Sequence, residues 1–321
     1  MDDITLDNVR NHAFIIKELH TDILNTSDKN KMTKCMEYCN RVMAFTDKLD
    51  NATLMPIKKD IIHVYIAASD LLFNSLESGV KREVLNKTER NTLQLSINYA
   101  EKVLSIEPDN QKGYLLYKNI TLYLTDYVDT AQNQLDLLNT ICNINPFDHD
   151  IYYKIAYIYN IKQRIDDAIK HYKLAIASIS MQKNTEEKIH IKYLLELSSI
   201  YRERDDYLRA EYYLSKALAI NHLNPDIQIG YGLLYNKLNM MDKAIFHFKY
   251  ALKEQLKTHA ALYYVAKIHA YLGNAYAKTN DINMALKEYN KALLYLPDLE
   301  DALDGKAKLS KILYNSLTNI L

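Results

Sequence analysis

Three cysteines, ten histidines and forty carboxylates are the side chains of this 321-residue chain that could do chemistry. A metal site would need them brought together by spacing, as in Cys-x-x-Cys or His-Glu-x-x-His. Cys35 and Cys39 lie four apart on one helical stretch, with no Cys-x-x-Cys and no Cys/His pair nearby. They and Cys142 read as buried, reduced thiols. No two histidines pair in a metal motif, and His171 and His247 read as partly buried helix residues. The carboxylate pairs Asp166–Asp167 and Glu186–Glu187 fall at turns or helix starts. Negative charge suits a helix N-terminus, so they read as solvated caps, not as an acid and its base. Gly-Tyr-Gly at 230–232 has no strand before it, and Gly305–Lys306 lacks both the P-loop spacing and the Ser or Thr that should follow. No cofactor, no metal and no enzyme activity is expected.

The elements that would position such residues are helices. Six Gly and five Pro leave little material for the turns of a sheet fold. A composition of 48% hydrophobic and 25% charged residues is that of a folded protein. Lys+Arg 40 against Asp+Glu 40 gives no net charge, which argues against a broad basic surface for nucleic acid or anionic membrane. The start, MDDITLDNVRNHAF, is acidic and is no signal peptide. No run approaches the ~20 apolar residues of a bilayer span. The expectation is a cytoplasmic protein with no membrane contact.

Laying the chain on itself reveals a repeat. In a window from Ala266, Leu272, Gly273, Tyr276, Ala285, Tyr289, Ala292 and Pro297 take positions 7, 8, 11, 20, 24, 27 and 32. A window from Pro225 aligns Gly232, Tyr235, Ala244, Phe248 and Ala251 with positions 8, 11, 20, 24 and 27. One from Ile191 aligns Ser198, Tyr201, Ala210, Leu214 and Ala217, and one from His149 aligns Ala156, Tyr159, Ala168, Tyr172 and Ala175. A window from Leu115 keeps Leu138 and Pro146 but loses the small residues. Small side chains at 8, 20 and 27 mark close helix approaches, which is the account of Gly273, costly by about 1 kcal/mol in a helix. Asn280, Asn239 and Asp205 fall at position 15, where a turn tolerates a left-handed backbone.

The pattern resembles the tetratricopeptide repeat (TPR), a helix–turn–helix unit of 34 residues with small residues at 8, 20 and 27. The tryptophan usual at position 4 is absent, since the chain has no Trp; 27 tyrosines supply the aromatic bulk. The resemblance implies an all-α fold, a right-handed α-solenoid of TPR units with extra N-terminal helices and a C-terminal capping helix. Residues 1–56 read as an N-terminal helical segment and 57–114 as degenerate repeat-like helices. Residues 115–298 read as the TPR array, with windows starting at 115, 149, 191, 225 and 266, and 299–321 as the cap. The first three helices are expected at 4–24, 30–49 and 57–76. Insertions at 183–190 and 259–265 should lengthen flanking helices by about two turns. The stripe Leu309, Ile312, Leu313, Leu317 and Ile320 should close the array.

In structures of this kind, positions 2, 5, 9 and 12 of each first helix line a concave groove. Here they include Asn119 and Tyr123, then Tyr153, Tyr157 and Asn160, then Lys192, Leu195, Ser199 and Arg202. Ile229, Leu233 and Asn236 follow, and Asn274 comes last. Asparagine amides suit the backbone of an extended peptide and tyrosines its side chains. The implied function is a non-enzymatic scaffold or adaptor for a protein or peptide partner. The alternative is a peptide-responsive regulator whose groove repositions the N-terminal helices. TPR domains that clamp acidic chaperone tails use Lys at 5 and Asn at 9, then Asn at 6, then Lys at 2 and Arg at 6. From 115 those places hold Asn119, Tyr123, Lys154, Lys192 and Glu196, and no other start does better. An acidic chaperone tail is therefore not the expected partner.

Overall fold

The computed structural model describes residues 6–26, 28–46, 55–77, 85–128, 130–182, 186–257 and 262–318. These hold fifteen α-helices, one 3-10 turn and no strand. The chain divides into two units, residues 1–147 and 148–321. Both units are all-α among the described residues, and the second is built as a TPR-type solenoid of helix pairs.

The first unit contains α1 (Leu6–Thr26), α2 (Lys29–Thr46), α3 (Lys58–Glu77), α4 (Lys87–Ile106), α5 (Gln111–Thr125) and α6 (Ala131–Ile144). The first three lie within three residues of the expected spans at each end, while 4–5 and 47–49 fall outside the described residues. Pro56 sits in the 3-10 turn Met55–Ile57 that leads into α3. Helices α1 to α3 bury Ile16, Cys35, Cys39, Val42 and Leu71 in one core. Both thiols are fully buried, with Cys35 Sγ 3.8 Å from the Ile16 carbonyl and Cys39 Sγ 3.9 Å from that of Val64. Where α3 crosses α4, Ser69 and Ser96 each donate a hydroxyl to the other's carbonyl, at 2.9 and 2.7 Å. Only a small side chain lets two helices come that close.

The second unit is four helix pairs: α7 (His149–Ile161) with α8 (Ile165–Ser180), α9 (Glu187–Glu203) with α10 (Tyr207–Ile220), α11 (Pro225–Lys237) with α12 (Met241–Lys257), and α13 (Leu262–Lys278) with α14 (Ile282–Tyr295). Helix α15 (Glu300–Thr318) packs on the last pair. The alanines at positions 20 and 27 are all buried. Ser198, at position 8, donates its hydroxyl across the pair to the Ala210 carbonyl at position 20, 2.9 Å away. A Cβ built on Gly273 would stand 2.6 Å from two ring carbons of Tyr289. The position-24 side chains Tyr172, Leu214, Phe248 and Tyr289 fill the space so left, each at most 1% exposed.

Each first helix of this unit ends in the same way. Gln163, Asp205, Asn239 and Asn280, all at position 15, have φ of 59°, 58°, 59° and 62°. The next residue's N–H returns to the carbonyl of position 11, at 2.9 to 3.0 Å in all four pairs. That six-to-one bond satisfies a carbonyl the helix end would otherwise leave unpaired, and it needs the left-handed residue.

Two expectations are corrected, and the position-11 tyrosines differ among themselves in burial: Tyr201 and Tyr276 are buried, but Tyr159 and Tyr235 are half-buried. Those two sit near the edge, Tyr159 under the Arg164 guanidinium at 4.6 Å and Tyr235 donating its hydroxyl to Glu211 at 3.3 Å. Helices α9 and α13 start four residues before their windows, one turn and not two; 183–185 and 258–261 lie outside the described residues. On α15, Ala302 and Leu309 are buried within the first three turns, whereas Ile312 and Leu313 beyond them are 55% and 38% exposed. The Leu317 side chain and Ile320 lie outside the described residues.

Candidate interaction groove

The groove stripe begins with the aromatic face of α7. Tyr153 stacks on Tyr193 of α9, with ring centroids 4.6 Å apart and planes 16° apart, and meets Tyr172 of α8 edge-on at 5.6 Å. Tyr193 donates its hydroxyl to Asp150 at 2.9 Å, which ties α9 to the start of α7. The Lys192 ammonium lies over the Tyr153 ring, 4.5 Å from its centroid. Tyr157, one turn on, is 52% exposed. Asn160 is half-buried at the end of the same helix.

On α9 and α11, apolar members of the stripe are anchored in the cores while their outer edges stay open. Leu195 packs on the core of the first two pairs, and Ile229 and Leu233 pack on that of the last two. Between α9 and the start of α11 opens a cleft of about 650 Å³, lined by Glu187, Lys188, Ile189, Ile191, Lys192, Leu195, Glu196, Asn221, Asn224 and Asp226. Burial holds the Glu196 carboxyl above the ordinary carboxylate range, although the Lys192 charge pulls it down. Among the described residues Glu196 makes no hydrogen bond or ion pair, and the Lys192 ammonium lies on Tyr153.

Several polar stripe residues are already committed to neighbours. Ser199 Oγ accepts from Arg202 at 2.9 Å, and Arg202 also reaches Glu203 at 3.2 Å. Asn236 Oδ1 accepts from Lys278 at 2.8 Å, and Asn274 Oδ1 accepts from the Tyr289 hydroxyl at 2.6 Å. These three side chains brace the scaffold, and the accessible chemistry concentrates on α7 and α9.

The two residues drawn from the 115 window belong to the first unit. Helix α5 starts at Gln111, one turn before that window, with Asn110 as its N-cap. Asn119 stays exposed. Tyr123 is half-buried edge-on against Phe73 of α3 at 5.5 Å, and its hydroxyl accepts from Tyr127 at 3.0 Å. Its ring belongs to the packing of α3 on α5, not to an open groove face.

Other candidate chemistry resolves into structure. Asp167 pairs with Arg164 at 2.7 Å and Asp166 with Arg204, both at the start of α8. Gly232 leaves room for the Phe248 ring, and Gly305 for that of Tyr289. Where the TPR pattern has its tryptophan, positions 4 and 23 form polar pairs: Gln228 Oε1 lies 2.8 Å from His247 Nδ1, and Glu288 Oε2 lies 2.6 Å from His269 Nδ1. Burial pushes the Glu288 carboxyl up, but hydrogen bonds from His269 and Lys291 prevail and leave it below its usual range. Among the described residues no cluster of three metal-ligating side chains occurs, and no helix is long and apolar enough to cross a membrane.

A family model described as tetratricopeptide repeat matches residues 149–179 and 266–298, the first and last pairs of the second unit. The chain carries tetratricopeptide repeats in these two stretches. Over 116 residues the chain is 30% identical to anaphase-promoting complex subunit CDC16 of Saccharomyces cerevisiae, a match covering 34% of this chain and 13% of that one. It therefore spans a small part of that relative's length. Among solved structures it is similar to YrrB, "a TPR protein with an unusual peptide-binding site", at 17% identity over 65% of this chain and 97% of that one, with a TM-score of 0.47. The APC/C hetero-tetramer Cut9–Hcn1 is similar at 19% identity over 94% and 61%, with a TM-score of 0.49. A TPR fold is in general a scaffold for protein–protein interaction.

The residues that the stripe rule missed are Glu196 and Tyr172. Glu196 was visible as an acid where a clamp would place arginine. Nothing in the sequence marks Tyr172, because its role depends on what its hydroxyl fails to meet.

Proposed function

We propose that this TPR protein is a cytoplasmic, non-enzymatic scaffold whose second unit takes a peptide segment or partner helix in the groove formed by α7, α9 and α11. The observation that carries this is the exposed ring of Tyr157 on the face that also bears the cleft beside Lys192 and Leu195. A half-exposed tyrosine on a rigid helix supplies contact area at small entropic cost, and such residues anchor interfaces. The likeness to a subunit of a larger complex agrees with an assembly role. The partner is a protein rather than nucleic acid, since no net positive charge is present to hold phosphates.

The test is affinity capture from native lysate with the wild type beside Tyr157→Ala/Leu195→Asp. The variant should keep its helical circular dichroism and lose the captured protein. An unchanged set of partners would reject the groove. If a bound peptide also altered hydrogen exchange in α1 to α3, the protein would be a regulator instead of a passive adaptor.

A further inference from the structure

Tyr172 and Tyr289 occupy the same place, position 24, in the first and last pairs of the second unit. Tyr289 passes its hydroxyl to Asn274, at position 9 of its own first helix, at 2.6 Å. The equivalent of Asn274 in the first pair is Tyr157, which offers Tyr172 no such bond. Tyr172 is 0% exposed, and its buried hydroxyl has no hydrogen-bond partner among the described residues. Tyr172 meets Tyr153 edge-on at 5.6 Å, and the Lys192 ammonium lies over that same Tyr153 ring at 4.5 Å; one turn further along the same two helices stand Tyr157 and Glu196, so the orphan lies beneath the stretch of groove that carries both. Two polar groups thus sit together unspent: the Tyr172 hydroxyl and the half-buried Glu196 carboxylate.

A buried polar group without a partner costs roughly 1–3 kcal/mol, and native structures hold few of them, so each calls for an explanation. The lining of the cleft says what that is. Glu187, Glu196 and Asp226 face two ammonium groups, Lys188 and Lys192, so the acids are in excess. Lys192, the nearer cation, is held over Tyr153. An acidic side chain placed here would meet Glu196 head-on, and an apolar one would seal it off unpaired. A guanidinium can lie flat on the free ring of Tyr157 while its N–H groups reach the carboxylate.

We propose that the groove of the second unit holds a subsite for a basic side chain of the bound segment, arginine foremost, built from the Glu196 carboxylate, the Tyr172 hydroxyl and the exposed ring of Tyr157. This rests on the groove reading above and names the chemistry of its occupant. Glu196 supplies the charge, Tyr157 the stacking surface, and Tyr172 a hydroxyl that fixes the orientation of the carboxylate once it is paired.

The experiment titrates acetyl-Gly-Arg-Gly-amide into the full chain carrying ¹³C-labelled tyrosine rings. The controls are the same peptide with citrulline, which keeps the shape and loses the charge, and with norleucine. Saturable ring shifts are expected for arginine, with binding roughly tenfold weaker for citrulline, as for a hydrogen bond to a charged group. Glu196→Gln should weaken arginine binding by a similar factor, and Tyr172→Phe should weaken it as well. Neither variant should lower thermal stability, because each removes a group with no partner in the fold. Equal binding of arginine and citrulline, no saturable shift with arginine, or destabilisation by Glu196→Gln would each overturn the subsite. Partner capture that is lost in Tyr157→Ala/Leu195→Asp but unchanged in Glu196→Gln rejects the subsite and keeps the groove. Arginine binding that depends on Glu196, in a chain whose partner capture ignores the double substitution, rejects the groove and keeps the subsite.

Discussion

Adding one methyl group at Gly273 should destabilise the protein, although alanine is the better helix former. Helix propensity alone favours Gly273→Ala by about 1 kcal/mol. The new Cβ, however, would lie 2.6 Å from Cδ1 and Cε1 of Tyr289 and 3.1 Å from Cγ. Carbon atoms in contact prefer about 3.5–4.0 Å, so ring or helix must yield by about 1 Å. The ring has no retreat. A Cβ on Gly305, on the next helix, would stand 2.6 Å from the same Cε1, so the ring is closely approached from both helices, and its hydroxyl is tied to Asn274. Overpacking of this kind costs roughly 1–3 kcal/mol, which leaves a net loss of about 1 kcal/mol or more. In a Tyr289→Val background, itself weaker by roughly 3 kcal/mol, the obstacle is gone and the same methyl should stabilise by up to about 1 kcal/mol. The two backgrounds should therefore differ in sign, with a coupling of about 2 kcal/mol. Urea unfolding followed at 222 nm measures all four proteins. A higher midpoint for Gly273→Ala in the wild type, or equal shifts in both backgrounds, would refute the packing argument.

Two further outcomes follow from local geometry and from burial. Gln163 holds a left-handed φ of 59° that costs an ordinary L residue about 1 kcal/mol; Gln163→Gly should raise stability by roughly 0.5–1 kcal/mol, and Asn239→Gly by less, and a drop in the melting temperature for Gln163→Gly would contradict this. His63, His190 and His247 have pKa values below the ordinary, chiefly because burial disfavours the charged ring. A group whose folded pKa is depressed binds protons less readily folded than unfolded. Stability is then complete above about pH 6.5, the unfolded value, and declines as pH falls from there toward the folded values. The urea midpoint should drop between pH 7.5 and 5.5, and His247→Gln should reduce that drop; a flat midpoint in the wild type would be the wrong result.

The parts of this fold that sequence reveals are those set by local or pairwise constraints. Small residues at 8, 20 and 27 are legible because two backbones in close contact leave no room for anything larger. The turn at position 15 is legible at Asp205, Asn239 and Asn280 because few residue types accept a positive φ; Gln163 adopts the same conformation without the sequence signal. The groove is legible only as a stripe. Whether Ser199, Asn236 and Asn274 are open or committed depends on Arg202, Lys278 and Tyr289, two of them on other helices, and no spacing encodes that. Glu196 and Tyr172 are harder still, since what distinguishes them is a missing partner.

The register of α5 shows where periodicity itself fails. The second helix of that pair, α6, buries Leu135, Leu138 and Ile141, which suits a window from 115. The first helix buries Gly113, Tyr114, Tyr117, Ile120 and Thr121, which suits a window from 111. The first helices of the second unit all bury positions 3 and 7, and three of the four also bury 4 and 10, while Asn110 caps α5 at the place where Asp148 and Asn224 cap α7 and α11. A shift of four residues turns a helix by one full turn plus about 40°, so nearly the same face is presented and the hydrophobic pattern hardly changes. Only the cap and the longer connection after Thr125 tell the two registers apart. The consequence for the candidate residues is unequal. Asn119 moves from position 5 to position 9 and stays on the stripe, whereas Tyr123 moves from position 9 to position 13 and off it, toward Phe73. A register read from caps first and apolar spacing second would have kept the one and released the other.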